Sequence, residues 1–390
     1  MQPAMKILVA ALVALAAIPA MTMAPTPANA AGKSGDFVFG LITPLTGAAS
    51  ENGQSYARGA AAGVVLLNQT HGVDGHKVRL AVCDSQSLEQ QAVICAKRLV
   101  YQDHARVLIG TGSTPQTIAV VPAATAAQVP LFAMCGGGGP YAAGKPWGFK
   151  GLAGNPDQIP PAFLLAKRRG WTRVAIIHDT GAYGRDVQKT MQRLAAANGL
   201  TIVADEGYGE TQTDMTPQVL HIRAAKPDVV MNYAPTVPAG VSIGRKLVQL
   251  GVTVPDIVGI NLQNDQFVHL AGSALTHTIF VGPRALLEHS SAAPTTNVQR
   301  LLAIYLHMYK RPMPDILTAG PVDSMLVVQA AAAHLGASLS NPQALRAALD
   351  KVSDVPGIQG TWTFTATNHG PLLGAGITTM VYRDGAWHGV

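Results

Sequence analysis

What most constrains this chain is a repeated alternation of short β-branched runs with longer stretches of helical character. The runs FVFGLIT (37–43), KVRLAV (77–82), RVLIG (106–110) and VPLFAM (129–134) come first, with a helix expected over 54–68, another around Cys95 and a third over 117–127. Strands that are apolar throughout are buried on both faces, and parallel neighbours need a crossover, usually a helix, to connect them. The order predicts an α/β chain built on parallel sheets with helices on both sides. The pattern then restarts with a helix over 157–169, followed by TRVAIIH (172–178), TIVADEGY (201–208), DVVMNY (228–233), PDIVGI (255–260) and TIFVG (278–282), with helices expected at 184–198, 215–224 and 238–250. Two α/β units of similar size share the chain, as its 390 residues allow. Helices over 298–310 and 323–335 follow, and TWTFTA (361–366) and TTMVYRDGAW (378–387) are expected to form a hairpin pair. No internal repeat of solenoid length is present.

In an open parallel sheet a ligand sits beyond the carboxyl ends of the strands. The loops at those ends are polar or rich in glycine: TPLTGAASENG, GTGSTPQ, MCGGGGP, HDTGAYG, NYAPTVP and GINLQND. A strand-end loop that feeds a helix also exposes unpaired N–H groups, which suit a carboxylate.

One stretch, GPYAAGKP (139–146), resembles a phosphate-binding loop, with Gly139, Gly144 and Lys145 in register. Pro146 stands where that loop needs a hydroxyl and brings no N–H, so nucleotide binding is not expected. There is no H-E-x-x-H or C-x-x-C, and His71 and His76 read as parts of a glycine-rich turn. The reading calls for no cofactor and no metal. A hydrolase using Cys135 or Ser113 as nucleophile is the alternative from another functional class. The net charge of +6 is scattered, KRR (167–169) being the longest basic run, so no nucleic-acid partner is expected.

The first thirty residues are a different kind of segment. Lys6 precedes the apolar run Ile7–Ile18, prolines follow, and Ala28-Asn29-Ala30 has the form of a cleavage site. This is the order of a secretory signal peptide, residues 1–30, and the run is shorter than the roughly 20 residues a bilayer requires. A free periplasmic protein is expected, because the segment has no cysteine for lipid attachment. In an oxidising compartment three cysteines suggest one disulfide and one thiol. Cys83 ends a strand-like run and Cys95 lies in the next helix, so a Cys83–Cys95 bridge is predicted, stabilising by about 3 kcal/mol.

The segment from Phe37 to Val100 resembles the amino-terminal part of the leucine/isoleucine/valine-binding periplasmic proteins. It has a strand, P-x-(S/T)-G, a helix with G-A, an Asn near its end, a glycine-containing turn, and a strand ending in D-(D/S). VAIIHDTGAYGRD is similar to that family's second-domain opening, and the likeness runs from about Phe37 to Arg383. It implies a type I periplasmic binding protein, with two doubly wound Rossmann-like lobes joined by three crossovers in a Venus flytrap. Lobe one would take 31–153 and 286–360, and lobe two 154–285 and 361–390. It also implies a non-enzymatic receptor, monomeric, that closes over a small solute and hands it to the permease subunits of an ABC importer.

Carried over residue by residue, the resemblance puts Ser113 and Thr114 at the ligand carboxylate. Cys135, Gly136 and Gly137 fall where the family holds the same group, with Gly137 replacing a Thr so that only backbone N–H groups remain. Tyr183 matches the lobe-two cleft tyrosine. Tyr233 and Thr236 occupy the next strand end, and Asn52 falls where an aromatic often lines the pocket. The amino-acid-binding members place a Glu in the loop that reads GINLQND here, and this chain offers Ile260 or Asn261. A buried ammonium without a carboxylate is costly, so Asn261 better suits an amide or a carboxylate lacking an amine. The expected ligand is thus a small amino acid, carboxylate or amide, the alternative being an aromatic or aliphatic carboxylate without an α-amine. Simpler roles compete: Ser113 as a helix cap, Tyr183 as a packed aromatic, Cys135 as a small buried residue.

Overall fold

A computed structural model describes residues 35–287, 296–371, 373 and 376–390; the expected signal peptide lies outside them. Five strands, β1 (Phe37–Thr43), β2 (Val78–Asp84), β3 (Val107–Thr111), β4 (Leu131–Met134) and β5 (Gly148–Lys150), form one parallel sheet in the order β2-β1-β3-β4-β5. Its crossovers are α1 (Ser50–Gln69), α2 (Glu89–Tyr101) and α3 (Thr114–Ala127). β1 is buried at every position, as its unbroken apolar run requires of a strand covered on both faces.

The chain then passes through α4 (Asn155–Arg168) into a second sheet. Its parallel strands are β6 (Arg173–Asp179), β7 (Thr201–Tyr208), β8 (Val229–Tyr233), β9 (Asp256–Val258) and β10 (Thr278–Pro283). Helices α5 (Ala182–Ala195), α6 (Thr216–Ala225), α7 (Val237–Gln249) and α8 (Asp265–Ala271) connect them. The return passage leads to α9 (Thr296–Tyr309), α10 (Ile316–Ala332) and α11 (Pro342–Leu349), which belong with the first sheet. There α1 lies so close to α10 that a side chain at Gly59 would come within 1.9 Å of the Thr318 carbonyl oxygen. α10 begins earlier than its apolar run suggests because Asp315 caps it, accepting the Thr318 N–H at 2.7 Å.

The end of the chain departs from expectation. The two runs expected to pair with each other do not. Instead β11 (Val355–Pro356) pairs with β12 (Thr361–Trp362), and β13 (Ile377–Arg383) pairs with β14 (Ala386–Gly389) while running antiparallel to β10. The second hairpin turns at Asp384-Gly385, both with positive φ, the turn chemistry that closes a tight hairpin. Trp362 is held beneath α10, its indole N–H donating to Asp323 at 3.2 Å. Residues 361–371 pack beside the first sheet, with Phe364 edge-on to Phe149 at 5.4 Å and His369 stacked on Phe149 at 4.1 Å.

Two passages between the sheets meet at a buried ion pair. Lys150, at the end of β5, pairs with Asp157 in the first turn of α4 and donates to the Pro371 carbonyl. Asp157 also accepts the Gly154 N–H at 2.6 Å and the Leu373 N–H at 2.8 Å. Burial lowers the Lys150 pKa, and the Asp157 carboxylate opposes that shift. On the far edge of the first sheet, Cys83 and Cys95 are joined as a disulfide with Cα atoms 5.5 Å apart, and Cys135 is a buried free thiol. Among the described residues no helix is long and apolar enough to cross a membrane.

Candidate functional site

A cavity of about 220 Å³ lies between the carboxyl ends of the two sheets. On the first-sheet side its wall is the loop after β3, Gly112 to Gln116, with Cys135 and Gly136 after β4. Gly112 has φ +97, and a side chain there would sit 2.9 Å from the Pro44 ring. Ser113 is the N-cap of α3, its hydroxyl accepting the Gln116 N–H at 3.4 Å, so the cap is part of the cavity wall. The first turn of α3 thereby presents a helix N-terminus to the cavity, a natural seat for a carboxylate.

The opposite wall is built from the ends of β6, β7 and β8. Tyr183 stands in the first turn of α5, and its ring lies over Gly136, where a Cβ would come within 2.6 Å of it. The two walls therefore touch, and glycine is what lets them. The Tyr183 hydroxyl accepts from the Gln158 amide at 3.4 Å, and burial raises its pKa. Thr236, the N-cap residue of α7, and Asn261, in a short turn after β9, complete the rim with Pro235.

Seven of the ten residues singled out by sequence line this cavity: Ser113, Thr114, Cys135, Gly136, Tyr183, Thr236 and Asn261. Asn52, Gly137 and Tyr233 do not. Asn52 is buried on the inner face of α1 at 3% exposure. The Gly137 N–H, expected to face the cleft, donates to Thr114 Oγ1 at 3.2 Å. Tyr233 is fully buried and donates to the Gln158 carbonyl at 3.3 Å.

Sequence reasoning missed Asp179, Tyr208 and Glu210, although the strand ends that carry them were singled out. Asp179 closes β6, is 2% exposed, and accepts the Gly181 N–H at Oδ1 at 2.6 Å. Its Oδ2 has no hydrogen-bond partner among the described residues, and neither has the hydroxyl of Tyr208, which is 1% exposed. Glu210 is near: a side chain at Gly181 would meet Glu210 Oε1 at 1.8 Å and Asp179 Oδ1 at 2.6 Å. Burial, with the Glu210 charge, raises the Asp179 pKa against the opposing Gly181 hydrogen bond.

Cys135 makes a poor nucleophile. Burial pushes its thiol up to about 11, which leaves little thiolate at neutral pH. The residues lining the cavity include no histidine to serve as a base for it or for Ser113. Among the described residues no group of three or more His, Cys, Asp or Glu side chains is placed to hold a metal ion.

Known proteins with similar sequences and folds agree with this architecture. The chain is 28% identical over 254 residues to the Leu/Ile/Val-binding protein BraC3 of Rhizobium johnstonii, covering 63% of this chain and 67% of that one. An extracellular ligand-binding receptor from Rhodopseudomonas palustris HaA2 has the same fold, with a TM-score of 0.81 at 23% identity over 91% of this chain and 99% of its own. A solute-binding protein of an ABC transporter from R. palustris, solved in complex with benzoate, superposes with a TM-score of 0.75 at 20% identity, covering 90% and 95%. The family model described as periplasmic binding protein matches residues 37–385, nearly all of the two-sheet body. The chain belongs to the periplasmic binding protein family.

Proposed function

We propose that this protein is the solute receptor of an ABC importer of the branched-chain-amino-acid type, working in the periplasm after loss of residues 1–30. It captures a small amino acid or carboxylate in the inter-lobe cavity and delivers it to permease subunits. The observation that carries this reading is the cavity itself, walled by strand ends of both sheets with Tyr183 resting on Gly136. Only a ligand that touches both walls shifts an open receptor toward a closed one. Ser113, Thr114 and the N-terminus of α3 are assigned to the ligand carboxylate, and Tyr183, Thr236 and Asn261 to the facing wall. In this arrangement lobe one runs to residue 153 and resumes at 286. It ends at 360, lobe two takes 154–285 and 361–390, and Phe364 and His369 reach back to Phe149 of the first sheet.

A second reading, an aromatic or aliphatic carboxylate without an amine, is favoured by the benzoate held in a neighbour of the same fold. It also accords with Asn261 at the position where the resemblance puts a glutamate. A thermal-shift screen of the common amino acids, aromatic acids and short amides tests the function. Ligand at 100 times its dissociation constant adds about 2.7 kcal/mol to stability, a shift easily read. At least one member of the panel is expected to raise the melting temperature. A panel with no effect removes the proposal.

A further inference from the structure

The charge of the cavity wall separates the two ligand classes. Its ionisable carboxylates are Asp179, Glu210 and, at the mouth, Glu89, and no lysine, arginine or histidine lines it. An anion entering this space meets carboxylates and no side-chain cation, with the partial positive charges of the α3, α5 and α7 N-termini left to receive it. A zwitterion fits both ends. On the lobe-two side, Asp179 Oδ2 and the Tyr208 hydroxyl are buried polar atoms with no partner among the described residues. Leaving such groups unpaired is costly, and a donor from outside the chain removes that cost. Asp179 and Glu210 crowd the same glycine, Gly181, so a cation beside them also cancels their repulsion.

We infer that the ligand carries a cationic nitrogen, an ammonium or amidinium, held at the end of the cavity formed by Asp179, Tyr208 and Glu210, while its carboxylate sits at Ser113 and Thr114. This rests on the reading of the cavity as the solute site, and it makes the missing glutamate near Asn261 unnecessary. The acid is supplied from the ends of β6 and β7 instead. Asp179 and Glu210 are then the residues that set specificity for amine-bearing solutes, and benzoate-like anions are excluded by the same charges.

The test is isothermal titration with matched triplets: each common amino acid, its deaminated acid and its decarboxylated amine, with benzoate added. The amino acid that binds is expected to lose binding on deamination and to keep part of it on decarboxylation. Asp179→Asn should weaken the amino acid roughly thirtyfold or more, as loss of a buried charge partner does. Glu210→Gln, at an exposed position, should weaken it by up to about fivefold. The melting temperature of each ligand-free variant shows whether it is folded, and Glu210→Gln carries the test if Asp179→Asn is not. Tighter binding of a deaminated acid or benzoate than of the amine-bearing partner overturns the inference and leaves the receptor reading standing. So does undiminished amino-acid affinity in both variants. If nothing in the set binds, the receptor reading falls and the inference with it.

Discussion

Asp157 and Asp179 are both buried aspartates, and the protein completes them in opposite ways. Asp157 faces Lys150 and accepts the N–H groups of Gly154 and Leu373, so both of its oxygens are engaged by the chain. Asp179 receives one N–H, from Gly181, and has an unpartnered oxygen and a second carboxylate nearby. A buried charge is tolerated when pairing and hydrogen bonds offset its desolvation. The first aspartate meets that condition from within the chain and fastens two inter-sheet passages. The second does not, and it lines the cavity. Saturation from within marks a part of the fold, whereas an open valence in a cavity wall marks a place for something else.

The sharpest way to break this contrast is to remove the lysine. Lys150→Met leaves Asp157 buried without its cation and is expected to cost about 3–5 kcal/mol, read from urea denaturation. A loss below about 1 kcal/mol would mean that the hydrogen bonds alone hold Asp157 and the contrast is overstated. Asp256 gives a second cut, because it too has an unpartnered oxygen but lines no part of the cavity. Burial pushes its carboxyl up to about 7, against the hydrogen bond from Asn232. The folded protein thus holds this proton more tightly than the unfolded chain, so the group's contribution is full below about pH 4 and is lost as pH rises through about 7. Asp256→Asn should remove that slope, leaving the variant more stable than the parent by roughly 4 kcal/mol at high pH. Denaturation midpoints of both proteins across this range check it, and parallel curves would show that the carboxyl does not stay protonated. The smallest effect belongs to Arg311, paired with Asp265 at 2.9 Å with side chains 40% and 51% exposed. Arg311→Ala should change stability by less than about 1 kcal/mol, and by less still in added salt, which screens an exposed pair. A larger loss that persists in high salt would give this exposed contact a weight comparable with the buried one.

The sequence discloses the sheets because fully buried strands need largely apolar runs, and β1, β3, β4 and β8 have them, β8 with Asn232 as its one amide. It discloses Ser113 as well, since a helix cap and a cavity wall are served by the same hydroxyl. The Asp-Gly at 384–385 turns the last hairpin inside a run that was expected to pair with TWTFTA, and that pairing was misjudged because β12 finds its partner just upstream, in β11. Tyr183 and Tyr233 look alike as strand-end tyrosines. One starts a helix at the cavity and the other finishes a strand covered on both sides, a difference only the packing decides. Asp179 and Glu210 were missed for a related reason. Their importance lies in hydrogen bonds that are not made and in a closeness across separate strand ends, neither of which is written in local spacing.

The Cys83–Cys95 bridge has a consequence beyond stability. β2 is the outermost strand of the first sheet, and an outer strand offers a free row of N–H and C=O groups to any extended segment that meets it. Because Cys83 lies in β2 and Cys95 in α2, the end of that strand is bolted to the helix packed beside it. A neighbouring molecule cannot peel the strand away and take its place without also dislodging the helix. The bridge thus holds the sheet's margin against exchange of this strand with a second copy of the chain.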